Sequence, residues 1–357
     1  MTLAAPRDLL ADGLEVVGRD ATFVAPAPLG DDGGDGSRKL PVATLGRALA
    51  LRRSTILLAG GAYPGAFALA GAWTLIGGLD PADGWRRAGP ASVLTGGNQN
   101  RVLTIVAGAR VRLDGLEVAP VGPAWMGVLV DHGGHATITG CTMAGGTGPG
   151  GRPAAVSCDG ESHVEGCRLR GGPGEDTTAI WAAGGTVVVD CDLEASHIGV
   201  NCGGVTGGGA TVERNRIRAG TYGVYIQDDD VRVRGNQITL TSADPSARGV
   251  FVVNGERLVI EDNTINGRPD RAQLERWAHL PPRSWTYDEN SGRDYREVTI
   301  TANGLWFHGE AAGPSGGPYT GPTQDLDDLL IHEPIQRLPA ELLAEIRAFL
   351  RAHPPRE

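Results

Sequence analysis

One short motif returns along most of this chain and limits what it can fold into. The segments ATITGCTM (136–143), SHVEGCRL (162–169), TVVVDCDL (186–193), ATVERNRI (210–217), VRVRGNQI (231–238) and LVIEDNTI (258–265) share a single pattern. An apolar residue is followed by two residues, a Cys or Asn, one residue, and a second apolar residue. VRLDGLEV (111–118) fits with Leu116 in the Cys/Asn slot, and EVTITANGL (297–305) fits with Asn303. From Leu116 through Cys141, Cys167, Cys191, Asn215 and Asn236 to Asn263 the steps are 25, 26, 24, 24, 21 and 27 residues. A period in this range marks a stacked repeat, in which no unit buries its apolar face alone.

A second register runs between the slots. MGVLVD, AAVSCD, AIWAAG, GVNCGG, GVYIQD and GVFVVN begin at residues 126, 154, 179, 199, 223 and 249. Period-2 alternation sends Val128, Val156, Ile180, Val200, Val224 and Val250 inward, together with Val130, Cys158, Ala182, Cys202, Ile226 and Val252. It sends Leu129, Ser157, Trp181, Asn201, Tyr225 and Phe251 outward. Several short strands per 21–27 residues, joined by Gly-rich turns, suit a coil better than the longer hairpin strands of a propeller or sandwich. The leucine frame of a leucine-rich repeat is missing. The expected fold is all-β: a right-handed parallel β-helix solenoid with like residues about 4.8 Å apart along the axis. In the slot, Asn is expected to take left-handed turns and bond to its neighbour, and Cys to fill the same niche as a small apolar residue.

Composition agrees. Glycine is 55 of 357 residues while aromatics are 5%, which suits many tight turns, and 41% hydrophobic residues supply a core. A net charge of −10 disfavours nucleic acid and anionic lipid as partners. No membrane span is legible, and MTLAAPRDLLADGLEVVG is no signal peptide, so the chain reads as cytoplasmic or exported by a non-classical route. Five cysteines with no CxxC read as buried thiols rather than a disulfide framework or a zinc site.

Three parts are expected. Residues 1–53 form an N-terminal segment with a short capping helix over 44–51, Thr44 being its N-cap. Residues 54–310 form the solenoid, with an aromatic- and Arg-rich insertion at 268–297 whose anchors would be Leu274, Trp277 and Leu280. Residues 311–357 form a tail with an amphipathic helix near 339–351, presenting Leu342, Ile346, Phe349 and Leu350.

The repeats, the opening TFVAPAPLGDDGGDGSRKLPVATLGRALA and LIGGLDPADGW (75–85) resemble the pectate-lyase-like superfamily of β-helices, in particular bacterial members of uncharacterised function. The resemblance covers about residues 21–310. It implies a carbohydrate-related role, since members include pectate and alginate lyases, epimerases, polygalacturonases and phage tailspikes. The polygalacturonase signature is incomplete here: Asp228–Asp230 is present, but Gly-His-Gly and Arg-x-Lys are not. The Asp-Pro-His-Asp motif of alginate epimerases is also missing. Carbohydrate binding, or a structural and interaction role, is therefore the leading expectation. A lyase, epimerase or hydrolase using outer-face carboxylates is the alternative.

Two groups of residues carry these expectations. Asp131 and Asp159 end equivalent strands, so adjacent coils bring them together to share a proton or a Ca²⁺ ion, with His163 as a third member of an acid–base group. Trp181, Tyr225 and Phe251 form an outward aromatic row beside Gln227 and Asp228, fit to stack on sugar rings or on a protein partner, oligomerisation included. Calcium is also weighed at the Asp-rich loop 31–35, against a solvated turn. It is the one cofactor these residues suggest.

Overall fold

The structure is a computed structural model. It describes residues 21–265 apart from 97–99, 123, 149–152, 205–207, 243–246, 253–256 and 262, together with the antiparallel pair Thr286–Tyr287 and Asp294–Tyr295. The tail helix, Asn303 and the anchors of the insertion lie outside the described residues.

The chain winds through three sheets in turn, each built by parallel pairing of one coil with the next. The first sheet has 11 strands and runs from Ala21–Val24 and Thr55–Ala59 to Val259–Glu261, with Arg86–Arg87 as an antiparallel branch. The second has 9, from Gly61–Pro64 to Thr264–Ile265. The third has 8, from Phe67–Leu69 to Arg248–Val252. The first sheet thus begins at Ala21–Val24, ahead of residue 54, because that strand pairs with Thr55–Ala59. The helix Leu45–Ala50 lies in the connection between them, its Thr44 cap accepting the Arg47 N–H at 3.1 Å and its Leu45 and Ala48 joining the core.

The slot residues form one line where the chain enters the second sheet, and hydrogen bonds run along it. Leu116 N–H donates to Cys141 Sγ at 3.5 Å, Cys141 N–H to Cys167 Sγ at 3.4 Å, and Cys167 N–H to Cys191 Sγ at 3.4 Å. Cys191 N–H donates to Asn215 Oδ1 at 2.9 Å, Asn215 N–H to Asn236 Oδ1 at 2.9 Å, and Asn236 N–H to Asn263 Oδ1 at 3.0 Å. Each Asn amide also donates backwards to a first-sheet carbonyl: Val188, Val212 and Val233 in order. The buried Ser92 holds the register position beside Leu116, one coil earlier, accepting Gly78 N–H and donating to Ala59 O.

One detail differs from expectation. The left-handed backbone falls on the residue before the slot, not on the slot itself: Gly115, Gly140, Gly166, Asp190, Arg214 and Gly235 all have φ between 54° and 63°. The turn into the second sheet is made there, and the amide of the slot Asn bridges coils. Asp190 and Arg214 take this conformation without glycine's freedom, and a paired bond joins them, Arg214 Nε and Nη2 each 2.9 Å from an Asp190 oxygen.

The inward columns named from alternation are buried. The third sheet adds a column of small residues, Gly127, Ala155, Ala179, Gly199, Gly223 and Gly249, one position ahead of the valines. A Cβ on Gly223 would run into Ile238 Cγ2 of the second sheet and the carbonyl oxygen of Gly249.

All five cysteines are free and buried. Burial pushes the Cys158 thiol up to about 12 and the Cys202 thiol upward as well, so neither forms a reactive thiolate near neutral pH. A thiol reagent is expected to find no reactive group in the native protein and all five in denaturant without reductant. A denatured count of three or one would reveal a disulfide and a misread ladder.

Candidate functional site

Outside the third sheet the side chains line up in register. Thr104, Leu129, Ser157, Trp181, Asn201, Tyr225 and Phe251 are successive partners along the axis. Over the middle of this row lies a cavity of about 630 Å³, lined by Arg101, Trp125, Met126, Leu129, Ser157, Asp159, Trp181, Gly203, Gly204, Gln227 and Asp228. Two indoles and four long polar or charged side chains therefore share one concavity.

Gly203 and Gly204 bring the loop after Ile198–Cys202 close against this wall. A Cβ on Gly203 would crowd Gln227, and one on Gly204 would meet Ala183 Cβ and come within 3.4 Å of Asp159 Oδ1. Asp228 accepts the Gly204 N–H. Gly204 thus lies against both carboxyl groups. Burial, and then the Asp131 carboxylate, raise the pKa of Asp159, against the opposing pull of His132 and Arg101. Burial, and then Asp229, raise that of Asp228.

Polar atoms without partners concentrate in the third sheet, two of them on cavity-lining residues. Among the described residues, five buried side-chain nitrogen or oxygen atoms have no hydrogen-bond partner. Arg101 Nε, Thr178 Oγ1 and Asn201 Oδ1 belong to third-sheet strands, Asp228 Oδ2 follows one closely, and only Thr22 Oγ1 lies elsewhere. Each such atom costs on the order of 1–3 kcal/mol. Arg101 Nε and Asp228 Oδ2, on residues that line the cavity, are what a site completed by a ligand would leave behind.

The residues named from the sequence separate into three places. Asp159, Trp181, Gln227 and Asp228 line the cavity. Asp131 stands one coil from Asp159, after the paired ends Val130 and Cys158, and acts on it through charge. Tyr225 and Phe251 continue the outward row into an aromatic cluster with Tyr222, whose ring stacks on Phe251 at 4.8 Å and meets His197 edge-on at 5.4 Å. His163 is not with them. It faces outward from the first sheet, its Nε2 3.2 Å from Glu165 Oε2, in a separate cleft with Trp73, Arg110 and His135. Three coil faces give three independent surfaces, so closeness in sequence to Asp159 does not bring His163 to it.

Among the described residues no three His, Cys, Asp or Glu side chains gather as a metal site would need. In the loop 31–35, Asp31 accepts the Gly33 N–H, Asp35 the Ser37 N–H, and Asp32 the Ala43 and Thr44 N–H groups and the Thr44 hydroxyl. These carboxylates fasten turns and the helix start. Asp230, next to the cavity pair in sequence, is engaged by Arg257 through bonds of 2.6 and 2.7 Å.

Trp125, Arg101, Gly203 and Gly204 were not legible as site residues. Arg101 starts a third-sheet strand and the other three lie in the turns beside such strands, where the repeat imposes no pattern. The two adjacent glycines after Cys202 were the one available signal.

A three-sheet parallel coil with a concavity on one outer face defines the class: this is a parallel β-helix. The family described as right handed beta helix region matches residues 111–265. Among solved structures, the crystal structure of pectate lyase Pel9A is similar, with 15% sequence identity, a TM-score of 0.48, and coverage of 68% of this chain and 69% of that one. No curated protein matches the chain. No described helix is long and apolar enough to cross a membrane.

Proposed function

We propose that the outer face of the third sheet is a carbohydrate-binding surface. The observation that carries this reading is the cavity of about 630 Å³ in which Trp125 and Trp181 share walls with Arg101, Asp159, Gln227 and Asp228. Indoles offer flat apolar faces to sugar rings, and fixed carboxylate, amide and guanidinium groups select hydroxyl directions. The Tyr222, Tyr225 and Phe251 cluster extends the surface along the axis, where a longer glycan or a protein partner would rest.

A catalytic reading has one observation behind it. Asp159 and Asp228 are half-buried on the same cavity wall, both with raised pKa values. Two carboxyl groups on one cavity, with pKa values raised by burial, are the equipment of acid–base chemistry on a glycosidic bond. Asp131, beside Asp159, would then tune that proton or share a Ca²⁺ ion with it.

Glycan-array binding followed by product analysis separates the readings. Trp181→Ala is expected to weaken glycan binding about tenfold to a hundredfold, with little change in melting temperature. New reducing or unsaturated ends, lost in Asp159→Asn or Asp228→Asn, would establish the enzyme. Loss of stability in Trp181→Ala, with no glycan bound by the parent protein, removes the carbohydrate reading.

A further inference from the structure

We infer that the sugar taken by this cavity carries a protonated amine, because one acceptor on its lining and a second beside the lining residue Gly203 lack donors, and the surrounding carboxylates outnumber the one guanidinium. This rests on the carbohydrate reading above and specifies its ligand class.

The acceptors are Asp228 Oδ2 and Asn201 Oδ1, each buried and without a partner among the described residues. Asn201 is 2% exposed and stands on the outward row between Trp181 and Tyr225. Its amide oxygen lies 3.4 Å from where a Cβ on the wall residue Gly203 would be. Asp159 Oδ1 faces the adjoining Gly204. An ammonium group offers three donors and a positive charge, whereas a hydroxyl offers one donor and no charge. The wall's unpaired donor, Arg101 Nε, suits a ring or hydroxyl oxygen on the same sugar.

Charge leads to the same ligand. Asp159 is faced by Asp131, His132 and Arg101, and Asp228 by Asp229. A uronate would bring another carboxylate to these groups, which like charges resist. An ammonium relieves that repulsion, and Trp125 and Trp181 can add a cation–π contribution. The pH dependence follows in sign. The raised pKa values of Asp159 and Asp228 mean that binding fades as pH falls through them and the carboxylates become neutral. Binding also fades as pH rises through the pKa of the ligand amine. The result is a bell.

The test is calorimetric titration of the full chain with three hexasaccharides: glucosamine, N-acetylglucosamine and galacturonate. Glucosamine is expected to bind at least about tenfold more tightly than the acetylated sugar near neutral pH, with a bell-shaped profile. Asp228→Asn should cut that ratio about tenfold. If this variant melts early, Asp159→Asn serves the same purpose. Equal or tighter binding of the acetylated or uronate sugar, still weakened by Trp181→Ala, overturns the amine inference and leaves carbohydrate binding standing. No binding of any sugar, with a blank glycan array, overturns both.

Discussion

Asn236→Ala is expected to destabilise the solenoid by about 4 kcal/mol. Its amide oxygen accepts both the backbone N–H and the side-chain N–H of Asn215, at 2.9 and 3.0 Å, and its amide nitrogen donates to Val212 O at 2.8 Å. At 1% exposure there is no water to replace these partners. Truncation strands a buried backbone donor and a buried carbonyl, breaks the bond to Asn263 Oδ1, and leaves a void. Asn236→Cys should cost less, about 1–2 kcal/mol, because Cys141, Cys167 and Cys191 perform the same backbone acceptance with sulfur at 3.4–3.5 Å. Urea unfolding of the three proteins checks the ranking. Equal midpoints for the alanine and cysteine variants would mean that filling the slot matters and hydrogen bonding does not.

Gly223→Val is expected to cost about 3 kcal/mol or more, the upper end of what overpacking does. The first added carbon already meets Ile238 Cγ2 and the Gly249 carbonyl oxygen. A side chain can turn aside, but the carbonyl is held by the next coil of the third sheet. Gly140→Ala makes the contrast. Its Cβ would meet nothing within 4 Å, and only the φ of +59° opposes it, worth roughly 1 kcal/mol. Thermal melting of both variants separates crowding from backbone conformation. A mild effect of Gly223→Val would show that the second and third sheets are not in tight contact there.

Much of this architecture was legible because a coil writes its core periodically. The slot from Cys141 to Asn263 and the inward columns around Val128 and Val224 recur at similar offsets, so six imperfect copies reinforce one another. The left-handed turn was harder to place. Glycine marks it at 115, 140, 166 and 235, but Asp190 and Arg214 interrupt the series, and attention goes to the more regular Asn one residue later. The outward row was legible as a row, while the cavity over it was not. Its depth comes from Arg101, Trp125, Gly203 and Gly204, set at strand starts and in turns that stacking leaves free to vary. His163 shows the same limit from the other side. Periodicity tells which way a side chain points within its own sheet, but not which of three faces two nearby residues share.

The ladder has an arrow. From Leu116 to Asn236, every slot N–H is accepted by the side chain one coil later in the chain, never by one earlier. The two ends of any shortened version are therefore unequal. Removing coils from the front frees a slot acceptor and, at an Asn, the amide hydrogen that pointed back to a carbonyl of the lost coil, while the backbone N–H of every remaining slot keeps its partner. Removing them from the back exposes a donor that only the missing coil can receive. During synthesis the same arrow means that each coil is completed only when the next 21–27 residues have emerged. The growing chain then always carries one unfinished edge, and that edge moves towards the C-terminus.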